Sequence, residues 1–113
     1  MVAISGISSD LSLELTNLVD LIASDKSVVS VVLFGSTATG KRTEDSDIDL
    51  MVLVEAPSVD ALEFSASIRK RSFDLISFPM DLIVETARDY QERSVLPTLE
   101  RKIAREGKVL YAS

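Results

Sequence analysis

Near the start of the chain, apolar residues recur three and four positions apart. Leu11, Leu15, Leu18, Val19 and Ile22 form one stripe, the spacing of a helix with one face turned to a core. With Ser9 or Asp10 as N-cap, the pattern predicts a helix over about residues 10–24. The period then changes. Val28-Val29-Ser30-Val31-Val32-Leu33-Phe34 is β-branched and almost wholly apolar, as in a strand buried on both faces. Gly35 to Asp47 is polar with two glycines and reads mostly as turn or loop. Ile48 to Val54 is a second buried-strand run, stopped by Ala56-Pro57. Ser58 then offers a cap for a second helix, whose turns are marked by Leu62, Ser65 and Ile68-Arg69.

Pro79-Met80 leads into a third strand, Asp81-Leu82-Ile83-Val84-Glu85. Leu96, Leu99 and Ile103 predict a last helix ending near Gly107, with Lys102 and Arg105 in its closing turns, where cations suit the helix dipole. Val109-Leu110-Tyr111 suits a short terminal strand. Helices and strands in this order predict a mixed α/β (α+β) fold. No repeat, linker or low-complexity tract interrupts the order, and 113 residues fit one domain over 1–113 with no separate substrate-binding domain.

Composition narrows the chemistry. Cysteine and histidine are both absent, which removes thiolate nucleophiles, disulfides, Cys/His zinc sites and Ser-His-Asp triads. Carboxylates remain as the main acid–base and metal-binding groups, and oxygen-only ligation points to Mg²⁺ or Mn²⁺. A net charge of -6 argues against broad nucleic-acid binding, which draws on a basic face. It leaves a nucleotide open, because bound cations neutralise a local acidic cluster. The N-terminal residues lack a signal-peptide pattern, and no apolar run approaches the roughly 20 residues of a membrane span. A soluble, cytoplasmic chain is the expectation.

The stretch from Phe34 to Leu50 carries the candidate chemistry. A buried strand runs straight into Gly35-Ser36. Glycine lets the backbone turn sharply and approach a ligand closely. If a short helix begins there, its free N–H groups suit phosphate oxygens, and the Ser36 hydroxyl adds a donor. Asp47 and Asp49 lie two apart at the start of a strand, a spacing that sets both carboxylates on one face. Two such acids repel unless a proton or cation sits between them, and here their neighbours Ile48, Leu50, Met51 and Val52 are apolar. Asp81 opens a similar strand and reaches the same cluster if the two strands are neighbours. It is then placed to accept a proton from an attacking hydroxyl.

Each feature has a blander reading. A Gly-Ser turn is common, a lone Asp-x-Asp is usually a solvated strand edge, and Asp81 alone is a strand-end acid. Their occurrence in order is what is specific. A competing match, Gly35-x-x-x-x-Gly40-Lys41, covers most of a P-loop, but Arg42 stands where Ser or Thr should follow, and a strand rather than a long helix comes next. Lys41, Arg42, Glu44 and Asp45 read as solvated surface charges.

Gly35-Ser36, ten intervening residues, then Asp47-Ile48-Asp49 resembles the signature of the minimal nucleotidyltransferases, the MNT family of the DNA polymerase β-like superfamily. Ser46 to Leu50 is similar to the family's second-strand core, Met80 to Val84 to its third-strand acid, and Ile103 to Tyr111 to its usual ending. The resemblance implies a polymerase β-like nucleotidyltransferase fold, with a central mixed sheet flanked by helices. It implies ATP or another nucleoside triphosphate as donor and Mg²⁺ as cofactor. Asp47, Asp49 and Asp81 would bind metal and form the catalytic set, and Gly35 and Ser36 would contact the nucleotide. Many members pair with a small helical HEPN protein as antitoxin with toxin, adenylylating a tyrosine of that partner. Members commonly carry an arginine between positions 36 and 40, where this chain has Thr37, Ala38 and Thr39. Two alternatives stay open: an antitoxin that acts by occlusion, and a small-molecule adenylyltransferase completed by a second subunit. The oligomeric state is likewise open.

Overall fold

The structure is a computed structural model that describes residues 8–43, 45–55 and 60–113. Among these described residues, four strands form one sheet in the order β3-β2-β1-β4. They are β1 (Val28–Phe34), β2 (Ile48–Val54), β3 (Met80–Thr86) and β4 (Lys108–Ala112). β1 pairs antiparallel with both β2 and β4, and β2 pairs parallel with β3. The sheet is therefore mixed. Its one parallel pair needs a crossover, which α3 (Ala61–Ser72) provides.

The alternation of side chains divides the interior into two halves. On one face, α1 (Ser9–Ala23) and α3 pack Leu15, Leu18, Ile22 and Ile68 against Ile48, Leu50, Val52 and Val54 of β2 and Val31 and Leu33 of β1. On the other, α4 (Ala87–Ser94) and α5 (Leu99–Glu106) bring Ala87, Tyr90 and Ile103 onto Val32, Met51, Leu53 and Ile83. β2 is covered from both sides, and Asp49 alone among its seven residues is not fully buried. Among the described residues, no helix is long and apolar enough to cross a membrane.

Several boundaries differ from the sequence-based expectation. The α1 cap is Ser8, whose Oγ accepts from the Leu11 N–H at 3.2 Å, rather than Ser9 or Asp10, which have entered the helix. Residues 35–39 form a short helix, α2 (Gly35–Thr39), inside the expected loop. Ser58 and the Ala56-Pro57 stop lie outside the described residues, as does Glu44. The α3 cap is Asp60, which accepts from the Leu62 and Glu63 N–H groups. α4 was not legible in the sequence, because Ala-Arg-Asp-Tyr-Gln-Glu-Arg-Ser offers no apolar stripe. It is started instead by the Thr86 Oγ1, which accepts from the Asp89 N–H at 3.1 Å. Leu96 stays outside α5, which Thr98 caps just after Pro97.

Two acids, Glu85 of β3 and Glu100 of α5, are drawn into the interior. Glu100 is buried and paired with Arg93, while the Glu85 Oε1 is buried without a hydrogen-bond partner among the described residues. Burial, then the Glu100 charge, pushes the Glu85 carboxyl above its ordinary range. A carboxyl raised in this way binds its proton more tightly folded than unfolded. The penalty is absent below the unfolded pKa of about 4.3 and is complete once pH exceeds the folded value. Glu85→Gln is therefore expected to raise the melting temperature at neutral pH, with the gain shrinking as pH falls toward about 4. Calorimetric melting across that range measures it; a gain that stays constant with pH contradicts the cause given.

Candidate functional site

β1 ends at Phe34, whose cross-strand partner is Asp49. The next residue, Gly35, has φ +73°, a left-handed conformation that costs other residues roughly 1–2 kcal/mol. It has a second reason to be glycine. A Cβ at position 35 would overlap the Asp49 Oδ2 and lie 3.2 Å from its Cγ. The backbone at Gly35 thus rests against a carboxylate, with the missing side chain leaving the space between them. α2 closes at Gly40, also left-handed at φ +78°, where the Lys41 N–H reaches the Ser36 carbonyl at 2.9 Å.

The acids come from three places. Asp49 and Asp81 are register partners on the parallel strands β2 and β3, so their side chains leave the same face of the sheet side by side. That face is the one that carries Met51, Leu53 and Ile83 under α4 and α5, and the two acids stand at its end. Asp47 does not belong to the strand. β2 begins at Ile48, and Asp47 precedes it as an exposed residue. Its position is held from both directions. The Ile48 N–H donates to the Pro79 carbonyl at 2.9 Å, which ties the lead-in of β2 to the lead-in of β3.

On the other side, Arg42 braces the loop. Its Nη1 donates to the Ser46 carbonyl at 2.9 Å and to the Thr37 Oγ1 at 3.3 Å. The Ser46 Oγ in turn accepts from the Thr43 N–H at 2.9 Å. Arg42 is therefore half-buried scaffolding and not the solvated charge expected from the sequence, whereas Lys41 and Asp45 are exposed as expected. No sequence signal marks Arg42 as a brace, because its partners flank it in the chain, Thr37 before and Ser46 after, and only the folded loop brings both to its Nη1.

Asp49 senses the arrangement. Burial, then the charge of Asp81, then that of Asp47, holds its carboxyl above the ordinary aspartate range. Among the described residues, no three acids lie close enough together to form a ready-made cation cage. Asp49 and Asp81 are brought together by register, and Asp47 stands at the edge, near enough for its charge to matter. Repelling carboxylates with no cysteine or histidine nearby are the donor chemistry of a hard divalent cation, and such an ion would relieve the repulsion that Asp49 experiences.

A family model described as a nucleotidyltransferase domain matches residues 15–111. A search of curated proteins returned no significant match. Among solved structures, one of a candidate minimal nucleotidyltransferase is 29% identical, with TM-score 0.59, covering 82% of this chain and 85% of that one. A candidate nucleotidyltransferase from Sulfolobus solfataricus is 17% identical, with TM-score 0.58, covering 97% of this chain and 93% of that one. A variant of the toxin–antitoxin MntA-HpeT is 19% identical, with TM-score 0.56, over 87% of this chain and 73% of that one. The last two are likenesses of fold. The family match spans nearly the whole chain and takes in the Gly35 turn and all three acids. The chain belongs to the nucleotidyltransferase domain family.

Proposed function

We propose that residues 1–113 act as one nucleotidyltransferase domain that transfers AMP from ATP to a hydroxyl on a protein partner. The observation that carries this reading is the parallel register of Asp49 with Asp81 beside the side-chain-free backbone of Gly35. Asp47, Asp49 and Asp81 would hold Mg²⁺, or Mn²⁺, which when bound neutralises phosphate charge and lowers the pKa of the acceptor hydroxyl. The Ser36 hydroxyl and the backbone N–H groups of the Gly35 turn donate to phosphate oxygens. Asp81, the exposed member of the pair, accepts the acceptor's proton. The acceptor oxygen then forms its bond to the α-phosphorus as the bond to the β-phosphate bridge breaks, releasing pyrophosphate in line.

The partner that fits best is a small helical protein of the HEPN type, with a tyrosine as acceptor. The motif resemblance supports this, and the similar fold of MntA-HpeT is that of a toxin–antitoxin protein. A second reading is an antitoxin that only occludes its partner. It draws on Thr37, Ala38 and Thr39, which leave that segment without a cation for phosphate. Incubation with labelled ATP, Mg²⁺ and the helical partner separates the two. Label on the partner is the expected result; a tight complex that stays unlabelled overturns the transferase reading and leaves occlusion.

A further inference from the structure

A cavity of about 210 Å³ opens between the end of β1 and α5, lined by Phe34, Gly35, Leu99, Lys102, Ile103 and Glu106. It lies on the same sheet face as the acids, since Phe34 is the register partner of Asp49 and packs with Ile103. We propose that this pocket receives the nucleobase of the donor nucleotide, an inference that rests on the nucleotidyltransferase reading above.

Three observations point to a base. The cavity is smaller than the roughly 300–1,000 Å³ that encloses a whole drug-sized ligand, so it takes one moiety. Its walls are largely apolar: the Phe34 side chain, Ile103, and Leu99, which remains 47% exposed and which a flat ring would cover. Its polar side chains are one donor and one acceptor, Lys102 and Glu106, which share a helix side at four-residue spacing. Among the described residues neither makes an ion pair. A base edge presents both donors and acceptors and so satisfies both side chains. A triphosphate does not, because the Glu106 carboxylate and three apolar walls oppose it. The polyphosphate is left to the neighbouring Gly35-Ser36 turn, with the ribose bridging from the pocket to the acids one strand away.

The test uses adenosine, which carries the base without phosphate, and tripolyphosphate with Mg²⁺, which carries phosphate without the base. Amide shifts on isotope-labelled protein are expected at residues 34, 99, 102, 103 and 106 with adenosine, and around 35, 36 and 49 with tripolyphosphate. Leu99→Trp, which fills the slot from an exposed position, is expected to weaken adenosine about tenfold while leaving tripolyphosphate within about twofold. Glu106→Ala and Lys102→Ala, both at exposed positions, are expected to weaken adenosine severalfold with unchanged melting, which guards against a folding defect in Leu99→Trp. Adenosine shifts that avoid α5, or full adenosine affinity in Leu99→Trp, overturn the pocket even if tripolyphosphate binds and transfer proceeds. Conversely, adenosine binding on α5 with transfer intact in Asp47→Asn keeps the pocket and removes the proposed chemistry.

Discussion

Asp49→Asn is expected to lose nucleotidyl transfer by more than about a hundredfold while melting at a higher temperature than the parent in metal-free buffer. Substituting a residue one shell out from a metal costs about 10–100-fold, so removing the charge of a residue proposed as a direct ligand should exceed that. The stability change runs the other way. Asp49 is held above its ordinary pKa by burial and by Asp81 and Asp47, and the amide removes a charge that the fold disfavours at neutral pH. Loss of activity with a gain in stability is the signature of a site that stores repulsion for a ligand. Mg²⁺ should raise the melting temperature of the parent and leave that of Asp49→Asn nearly unchanged. Asp47→Asn should also abolish transfer, with the fold nearly intact. Measured by release of labelled pyrophosphate, transfer within about threefold of the parent in either variant contradicts the roles given to these acids.

The second large effect concerns two glycines with almost the same backbone angle. Gly35 has φ +73° and Gly40 has φ +78°, so alanine at either carries the same conformational cost of roughly 1–2 kcal/mol. Only Gly35 faces something. An added Cβ there meets the Asp49 carboxylate, whereas at Gly40 nothing lies within 4 Å. Gly35→Ala is therefore expected to displace Asp49, destabilise the protein beyond the shared cost, and remove activity. Gly40→Ala should lose only about 1–2 kcal/mol and keep transfer largely intact. Denaturant melts and transfer rates on the two variants side by side isolate the contact from the backbone strain. Equal losses in both would mean that the approach of Gly35 to Asp49 has no functional weight.

Much of the scaffold was legible because its signals are local. β1 and β2 were expected at the residues where they occur, since seven-residue runs that are apolar except for Ser30 in one and Asp49 in the other have few other uses. α1 and α5 followed from apolar residues at helical spacing, with their ends shifted by a residue or more because caps depend on one side-chain oxygen each. α4 was missed for a physical reason. It has no buried residue and so leaves no periodic stripe to read. The pairing of Asp47 with Asp49 as equals on one strand was an overstatement, since Asp47 lies outside the ladder in a loop that Arg42 and Ser46 shape.

Chemistry available to the chain was settled by its residues: acids without thiols or imidazoles, a Gly-Ser turn after a buried strand, and acidic residues set against apolar neighbours. These are statements about neighbours in sequence, where side-chain alternation and backbone freedom act directly. Only the tertiary structure decided that β2 and β3 run parallel with Asp49 opposite Asp81, that Gly35 touches Asp49, and that α5 closes a cavity beside Phe34. Strand order and register arise from the collapse of both sheet faces onto their helices. A slip of one residue would turn every buried side chain of a strand to the opposite face, so the register that pairs the two acids is enforced by the core around them.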